Sequence, residues 1–328
     1  RAREINKAHT TFIDTIIKHS HKGRMHAEIN QLRGDNGGTV TGRFSYSNPN
    51  LQQIPARNKD LGPRIRSLFI PEEKHTWGCF DYSQQEPRLV VHYAASSQKL
   101  RDEEEVKRIV SEFNHNDVDF HQIVADMAEI PRSQAKVINL GLFYGMGKAK
   151  LQAELGLNTK DEAEKLFNKY HSRVPFVKDL MNNTSRDASG SGYITTLLGR
   201  KCRFDKWEEA VYNPGVLKVP MSHAEAEKKY GGESIRRAFT YKALNKLIQG
   251  SAADMTKRAM LDLYKEGIVP HIQVHDELDI SVESPEQAKK IIEIMEKAVK
   301  NEMKIPNKVD YESGNNWGEM EKVIIEER

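Results

Sequence analysis

Two short acidic stretches hold the residue types that a divalent cation would need. Asp81 closes an apolar run, Trp77-Gly78-Cys79-Phe80, that reads as a strand. A helix containing Arg88, Leu89, Val91 and Tyr93 follows almost at once. Far along the chain, in QVHDELDISV, Ile272 and Val274 lead in and Leu278, Ile280 and Val282 alternate outward. That pattern puts His275, Asp276 and Glu277 at a hairpin tip. Acids from two strand ends that met would repel, raising each other's pKa unless a cation lay between them. Oxygen ligands suit Mg²⁺, which commonly shares its shell with substrate phosphates. A pair of such ions would serve an in-line displacement at phosphorus, activating a hydroxyl and stabilising leaving pyrophosphate. Taken singly, each acid reads first as an ordinary turn residue. Spacing alone does not bring them together.

A second pattern lies between them. Along 131–145, Arg132, Lys136, Leu140 and Tyr144 recur every fourth residue. At about 100° per residue the stripe drifts but keeps to one side of a helix, over roughly 18 Å. That is about the length of an extended nucleoside triphosphate. Cations near a helix N-terminus suit phosphates, and an apolar, aromatic end suits a base or sugar. The plainer alternative is a solvated cationic edge beside a core stripe of Val137, Leu140 and Tyr144, and the pattern alone favours it.

The elements that must carry these residues follow from periodicity and punctuation. Helices are expected at 4–19, from about 86 to 97, around Glu103-Glu104-Glu105, at 118–129, and at 131–145 with Pro131 in its first position. Helical spacing continues through 148–155, 160–186, 233–266 and 285–301, with a hairpin or loop at 190–204. Strands are expected at 76–81, on both sides of His275 and Asp276 within 268–282, and near 308–311. Strands, then helices, then strands again describe a sheet domain interrupted by a helical insertion. The chain has 328 residues, 38% hydrophobic and 30% charged, which suits a soluble globular protein with two or three sub-domains. A net charge of +3 neither requires nor excludes a nucleic-acid partner. Two cysteines give no disulfide framework or zinc spacing and fit a reducing compartment. No apolar run reaches membrane-spanning length and no signal peptide is visible. A start at Arg1 suggests a piece of a longer polypeptide.

Together these pieces resemble the family A, polymerase I-like DNA polymerases. The family's first catalytic motif, D-Y-S-Q-I-E-L-R, has a counterpart in D-Y-S-Q-Q-E-P-R at 81–88. Its fingers motif, R-x-x-x-K-x-x-x-[FY]-G-x-x-Y-G, is matched by Arg132, Lys136, Leu140, Gly141, Tyr144 and Gly145. V-H-D-E stands intact at 274–277, with TGRFSYSNPNLQQIPARN at 41–58, His121 in DFHQ, and QGSAAD at 249–254 in family order. The resemblance implies an α+β right-hand polymerase fold with an antiparallel palm sheet and a helical fingers insertion. The palm would occupy 1–95 and 241–328 and the fingers 96–240, the thumb and exonuclease-type domain lying outside this chain.

By the same resemblance, Asp81, Asp276 and the Tyr82 carbonyl would hold two Mg²⁺ ions, replaceable by Mn²⁺, with Glu277 supporting the site. Arg132 and His121 would hold the triphosphate, and Lys136 would contact phosphate and protonate leaving pyrophosphate. Glu86 would fill the space of a ribose 2′-hydroxyl, with Tyr144 and Leu140 beside the nucleotide. Arg43, Asn245, Gln249 and His275 would touch the primer-template end, and Arg57 DNA phosphate. The implied partners are primer-template DNA, dNTP and a processivity or accessory replication protein, with no membrane. The implied setting is cytoplasmic or nucleoid-associated, or the host cytoplasm for a phage enzyme, an organelle not being excluded. The short separation of His121 from Arg132 leans towards phage enzymes.

Three positions depart from the pattern. Leu140 replaces an aromatic residue, and Gln85 and Pro87 replace Ile and Leu. Competing readings are a single-subunit RNA polymerase, which Glu86 argues against, a non-catalytic DNA-binding relic, and a metal-dependent phosphohydrolase. A relic would be expected to lose Asp81, Asp276 or Lys136, and a phosphohydrolase needs no helix of triphosphate length.

Overall fold

Thr76–Tyr82 is the middle strand of a five-stranded antiparallel sheet. Across the sheet the order is Ile272–Val274, Glu277–Val282, Thr76–Tyr82, Val309–Asn316 and Glu319–Lys322. The computed structural model describes residues 2–324, apart from 35–36, 57, 98–99, 116–117, 144–145 and 212–217. Its chain divides into two compact units. One comprises Arg1–Gln85, Ala252–Asn301 and Asn307–Arg328, and the other Glu86–Ser251 and Glu302–Pro306.

In the first unit the middle strand is covered on both faces, which is why it reads as a nearly continuous apolar run. Trp77, Cys79, Phe80 and Tyr82 are all buried. Gly78 has a steric cause, since a Cβ there would lie 2.6 Å from Val282 Cγ2 on the neighbouring strand. Helix Pro285–Lys297, capped by Ser284, buries Ala288, Ile291 and Met295 at helical spacing. The Tyr82 hydroxyl donates to the Met295 carbonyl at 2.7 Å, joining this helix to the strand. A second cluster gathers Trp77, Cys79, Trp317, Ile65, Leu51 and Ile54, with Phe12, Ile13 and Ile16 packed against it. Those last three come from 2–19, a helical stretch carrying a π segment at His9–Ile13, whose Ile5 by contrast is exposed.

The second unit is mainly helical: Phe120–Ala128, Arg132–Phe143, Lys148–Leu155, Lys160–Arg173 and Pro175–Ser191 follow in turn. The segment expected as one helix over 160–186 is therefore two. Pro175 lacks an N–H to extend the first helix and instead occupies the opening position of the second. The stretch 233–266 is corrected more strongly, because helix Ala243–Lys265 starts ten residues later than expected. Before it, Ile235–Arg237 pairs antiparallel with Trp207–Glu209, and Phe239 turns the chain at φ +64°. The side chains of 233–242 suit a helix, and long-range strand pairing overrides them. The last strand also runs farther than 308–311, through Asn316, and returns as Glu319–Lys322. Helix 285–301 stops at Lys297.

Three histidines of the second unit, His92, His121 and His171, are buried, and burial is the main cause that lowers each pKa to about 4. In an unfolded chain they titrate near 6.5. Their contribution to stability is thus present above pH 6.5 and is lost as pH falls towards 4. Neither ring nitrogen of His171 has a hydrogen-bond partner among the described residues. Melting curves between pH 7 and 5 should show a falling transition temperature. His171→Phe should reduce the loss, by up to about 2 kcal/mol at pH 5; an unchanged pH slope would contradict this account.

Candidate active site

Register brings the first two acids together. In the antiparallel pairing Glu277 stands opposite Asp81, and on the other side of the middle strand Asp310 does the same. Asp276 lies in the turn just before Glu277, and its carbonyl accepts the Tyr82 backbone N–H at 3.4 Å. Asp81, Tyr82, Asp276 and Glu277 therefore belong to one corner of the sheet. Burial, then Asp276, Glu277, Asp310 and Glu312, push the Asp81 carboxyl up to about 8. Asp310 was missed in the sequence. It occupies an outward position between Val309 and Tyr311 of a strand whose partner could not be read from spacing.

Two rungs further in, Asp279 and Glu312 flank Cys79. Asp279 is fully buried and accepts the Trp77 indole N–H at 3.0 Å and the Cys79 S–H at 2.8 Å. Glu277, Asp279 and Cys79 have ligand atoms within 4.8 Å of one another. Burial raises both carboxyls, and Arg66 partly offsets the effect on Glu277. Glu277 Oε1 is buried with no hydrogen-bond partner among the described residues. Asp279 Oδ2 is likewise without one, and crowded carboxylate oxygens of which two are unsatisfied fit a divalent cation.

Both acid-bearing turns are sharp. Gln84 (φ +53°) and His275 (φ +59°) adopt the left-handed region without being glycine, a conformation that persists where the surroundings enforce it. At His275 the enforcement is visible. Gln273 donates from Nε2 to the His275 carbonyl at 2.5 Å, and its Oε1 accepts from Gln52 at 3.3 Å. The Gln273 N–H reaches the Tyr46 hydroxyl at 3.3 Å. The 41–58 segment thus braces the hairpin. Arg43 and His275 line one small depression with Phe44, Lys257 and Gln273. After Gln84 the helix begins at Gln85, so Pro87 falls in its first turn, where a missing N–H is harmless. Gln85 is buried, and its amide donates to the Ala252 carbonyl at 3.4 Å and to Thr256 Oγ1 at 3.3 Å.

The expected nucleotide-binding residues belong to the second unit. Glu86 is half-buried in the first turn of helix Gln85–Ser96. Arg132 and Lys136 are exposed one turn apart, and Leu140 is half-buried. The buried face of that helix is Ala135, Ile138 and Asn139, so a core stripe of Val137 and Leu140 is not what forms. Arg132 pairs with Asp119 at 2.5 Å. Asp119 also caps helix Phe120–Ala128 by accepting the His121 and Gln122 N–H groups. His121 is buried, and desolvation, reinforced by Lys136 and Arg132 and opposed by Asp119, keeps it neutral. Asn245 and Gln249 are half-buried on one face of helix Ala243–Lys265. Arg57 and Tyr144 lie outside the described residues.

An antiparallel sheet whose central strands bear clustered acids is the arrangement of a right-hand polymerase palm, and likeness to known proteins assigns the class. The chain belongs to DNA polymerase family A, whose model matches residues 1–319. It is 35% identical to a DNA-directed DNA polymerase of Pseudomonas phage M6, over 97% of this chain and 50% of that protein. It is 33% identical to the thermostable DNA polymerase I of Thermus filiformis, over 96% of this chain and 35% of that one. Its fold matches the POL domain of Pol1 from M. smegmatis, a complex with DNA primer-template and dNTP, with a TM-score of 0.73. That match has 28% identity and covers 96% of this chain and 52% of the other. The chain spans half or less of the length of these two polymerases.

Two outcomes follow from the crowding and from Gln85. A raised carboxyl stabilises the fold below pH 4 and costs stability as pH rises through about 8. Without divalent ions at pH 8, Asp81→Asn should melt above the parent protein by about 2 °C or more. Millimolar Mg²⁺ should raise the parent and narrow the gap; a variant melting below the parent would refute the crowding. Gln85→Leu should stay within about 1 kcal/mol of the parent in denaturant titration, because Thr256 keeps its own bond to Ala252 at 3.2 Å. Gln85→Ala, which opens a cavity, should lose about 1–3 kcal/mol.

Proposed function

We propose that this chain is the palm and fingers core of a template-directed DNA polymerase, extending a primer 3′-hydroxyl with deoxynucleotides in DNA replication or repair. The observation that carries this reading is the register that sets Glu277 and the adjoining Asp276 beside Asp81. In this reading the palm comprises 1–95 and 241–328, and the fingers 96–240. Asp81, Asp276 and the Tyr82 carbonyl would hold two Mg²⁺ ions, or Mn²⁺ in their place. The ions supply acidity at the primer hydroxyl and charge neutralisation at pyrophosphate. Glu277 keeps the His-Asp-Glu turn in position.

The chain's own groups do the rest. Arg132 leaves Asp119 to take phosphate oxygens, for which a planar guanidinium is well matched. Lys136, one turn on, binds phosphate and delivers a proton to the departing pyrophosphate. His121 adds a neutral donor. Glu86 occupies the position a 2′-hydroxyl would need, which favours deoxynucleotides over ribonucleotides. Arg43, Asn245 and Gln249 contact the minor-groove edge of the primer end, His275 lies near the primer terminus, and Arg57 near DNA phosphate. Purine N3 and pyrimidine O2 present similar acceptors there, so pair geometry is tested without reading sequence. Phage and bacterial relatives support a setting in a bacterial or host cytoplasm.

Primer extension on a defined template tests the proposal. The protein with Mg²⁺ and dNTPs should extend according to template, and Asp81→Ala or Asp276→Ala should lower the rate by on the order of 10³-fold or more. Glu86→Ala should admit ribonucleotides. Absence of extension with both Mg²⁺ and Mn²⁺, or full activity in Asp81→Ala, defeats the reading.

A further inference from the structure

We propose that Asn139 and Tyr170 are positioning residues that fix the tautomer of His121, so that its Nε2–H is the donor offered to the triphosphate of the incoming nucleotide. The proposal rests on the polymerase reading and specifies how one of its binding residues is prepared.

Three helices of the second unit meet at this point. His121 comes from Phe120–Ala128, Asn139 from Arg132–Phe143 and Tyr170 from Lys160–Arg173. Asn139 and Tyr170 are both 0% exposed. The Tyr170 hydroxyl bonds Asn139 Oδ1, and Asn139 Nδ2 lies 3.1 Å from His121 Nδ1. Among the described residues, Asn139 is the hydroxyl's hydrogen-bond partner, and none other is recorded for it.

That single partner sets the direction of the whole chain. A phenol hydroxyl has one proton to place, and burying it without an acceptor is costly. If Tyr170 donates to Oδ1, the amide must present its N–H to His121, whose Nδ1 then accepts. With the amide reversed, Nδ2 would donate to the phenol oxygen and the phenol proton would have no acceptor. The first arrangement gives the phenol proton, the amide oxygen and Nδ1 a partner each, and leaves the neutral ring with its proton on Nε2. Burial with Arg132 and Lys136 nearby disfavours a second proton, although Asp119 pulls the other way. The tautomer matters because phosphate oxygens only accept. An Nε2–H would bond them, whereas an Nε2 lone pair would repel them.

The test combines a spectroscopic signature with kinetics. Nitrogen-15 spectra of the whole chain, with His121 identified by its loss in His121→Gln, should show Nδ1 in the unprotonated range and Nε2 in the protonated range. Tyr170→Phe, which packs alike but frees the amide to turn, should move the spectrum towards Nδ1–H. Asn139→Asp, whose carboxylate only accepts, should move it further if that variant folds. In Tyr170→Phe the KM for dNTP should rise about tenfold, the effect of one lost donor, with kcat changed much less. A parent spectrum with Nδ1–H, or a shifted tautomer with unchanged KM, overturns the proposal. The spectra need no substrate, so a protein without polymerase activity would defeat the functional reading while still deciding the tautomer.

Discussion

Repulsion between carboxylates on one rung of a sheet is the constraint on which the first unit depends. The middle strand has acids on both sides: Glu277 and Asp310 oppose Asp81, and Asp279 and Glu312 oppose Cys79. Such an arrangement would splay apart if the strands were free to move. Here the frame is held by apolar mass. Trp77 stacks with Trp317 at 6.1 Å, Phe80 with Tyr311 at 4.7 Å, and Tyr82 is tied to the helix below. Arg66 lies 4.2 Å over the Trp317 ring and brings a compensating charge to Glu277. Apolar packing thus holds together a polar corner that electrostatics alone would separate.

In the second unit, by contrast, two basic groups stay at a helix surface. Arg132 and Lys136 stay exposed because the inward positions of their helix go to Ala135, Ile138 and Asn139. Asp119 ties Arg132 to the neighbouring helix cap. Such a partly exposed pair contributes little to stability. His121 differs, since burial keeps it uncharged.

Legibility of the sequence followed the range of the interactions. The acid-bearing strand, the hairpin around His275 and helix Lys148–Leu155 were readable because local apolar patterning decides them. That Asp81 and Glu277 adjoin was not readable from either stretch, because register is a long-range property. It was expected only through resemblance to a family. Asp310 and Asp279 escaped notice for the same reason, each being an unremarkable strand residue until its cross-strand neighbour is known. Ile235–Arg237 failed differently, its pairing with Trp207–Glu209 overruling a locally helical segment. Asn139 sat unnoticed between Lys136 and Leu140, since a fourfold stripe draws attention to the exposed side of a helix and this residue faces inward.

The polar run at the start of helix Gln85–Ser96 shows how a departure from a family pattern can be absorbed. A buried glutamine where an apolar residue is usual would cost a few kcal/mol if its amide found no partner. It finds the Ala252 carbonyl, which also accepts the Thr256 hydroxyl, and Thr256 itself. The amide is shared between that carbonyl and the Thr256 hydroxyl oxygen, so no single acceptor has to carry it alone. Pro87 is absorbed by a different route, in a first turn that has no intrahelical use for its missing N–H. Neither change alters the pairing of Asp81 with its neighbours, because that pairing is made by strand backbones before the chain reaches Gln84. The acids can therefore keep their arrangement while the residues just beyond them vary, provided each newcomer finds partners in the helix it meets.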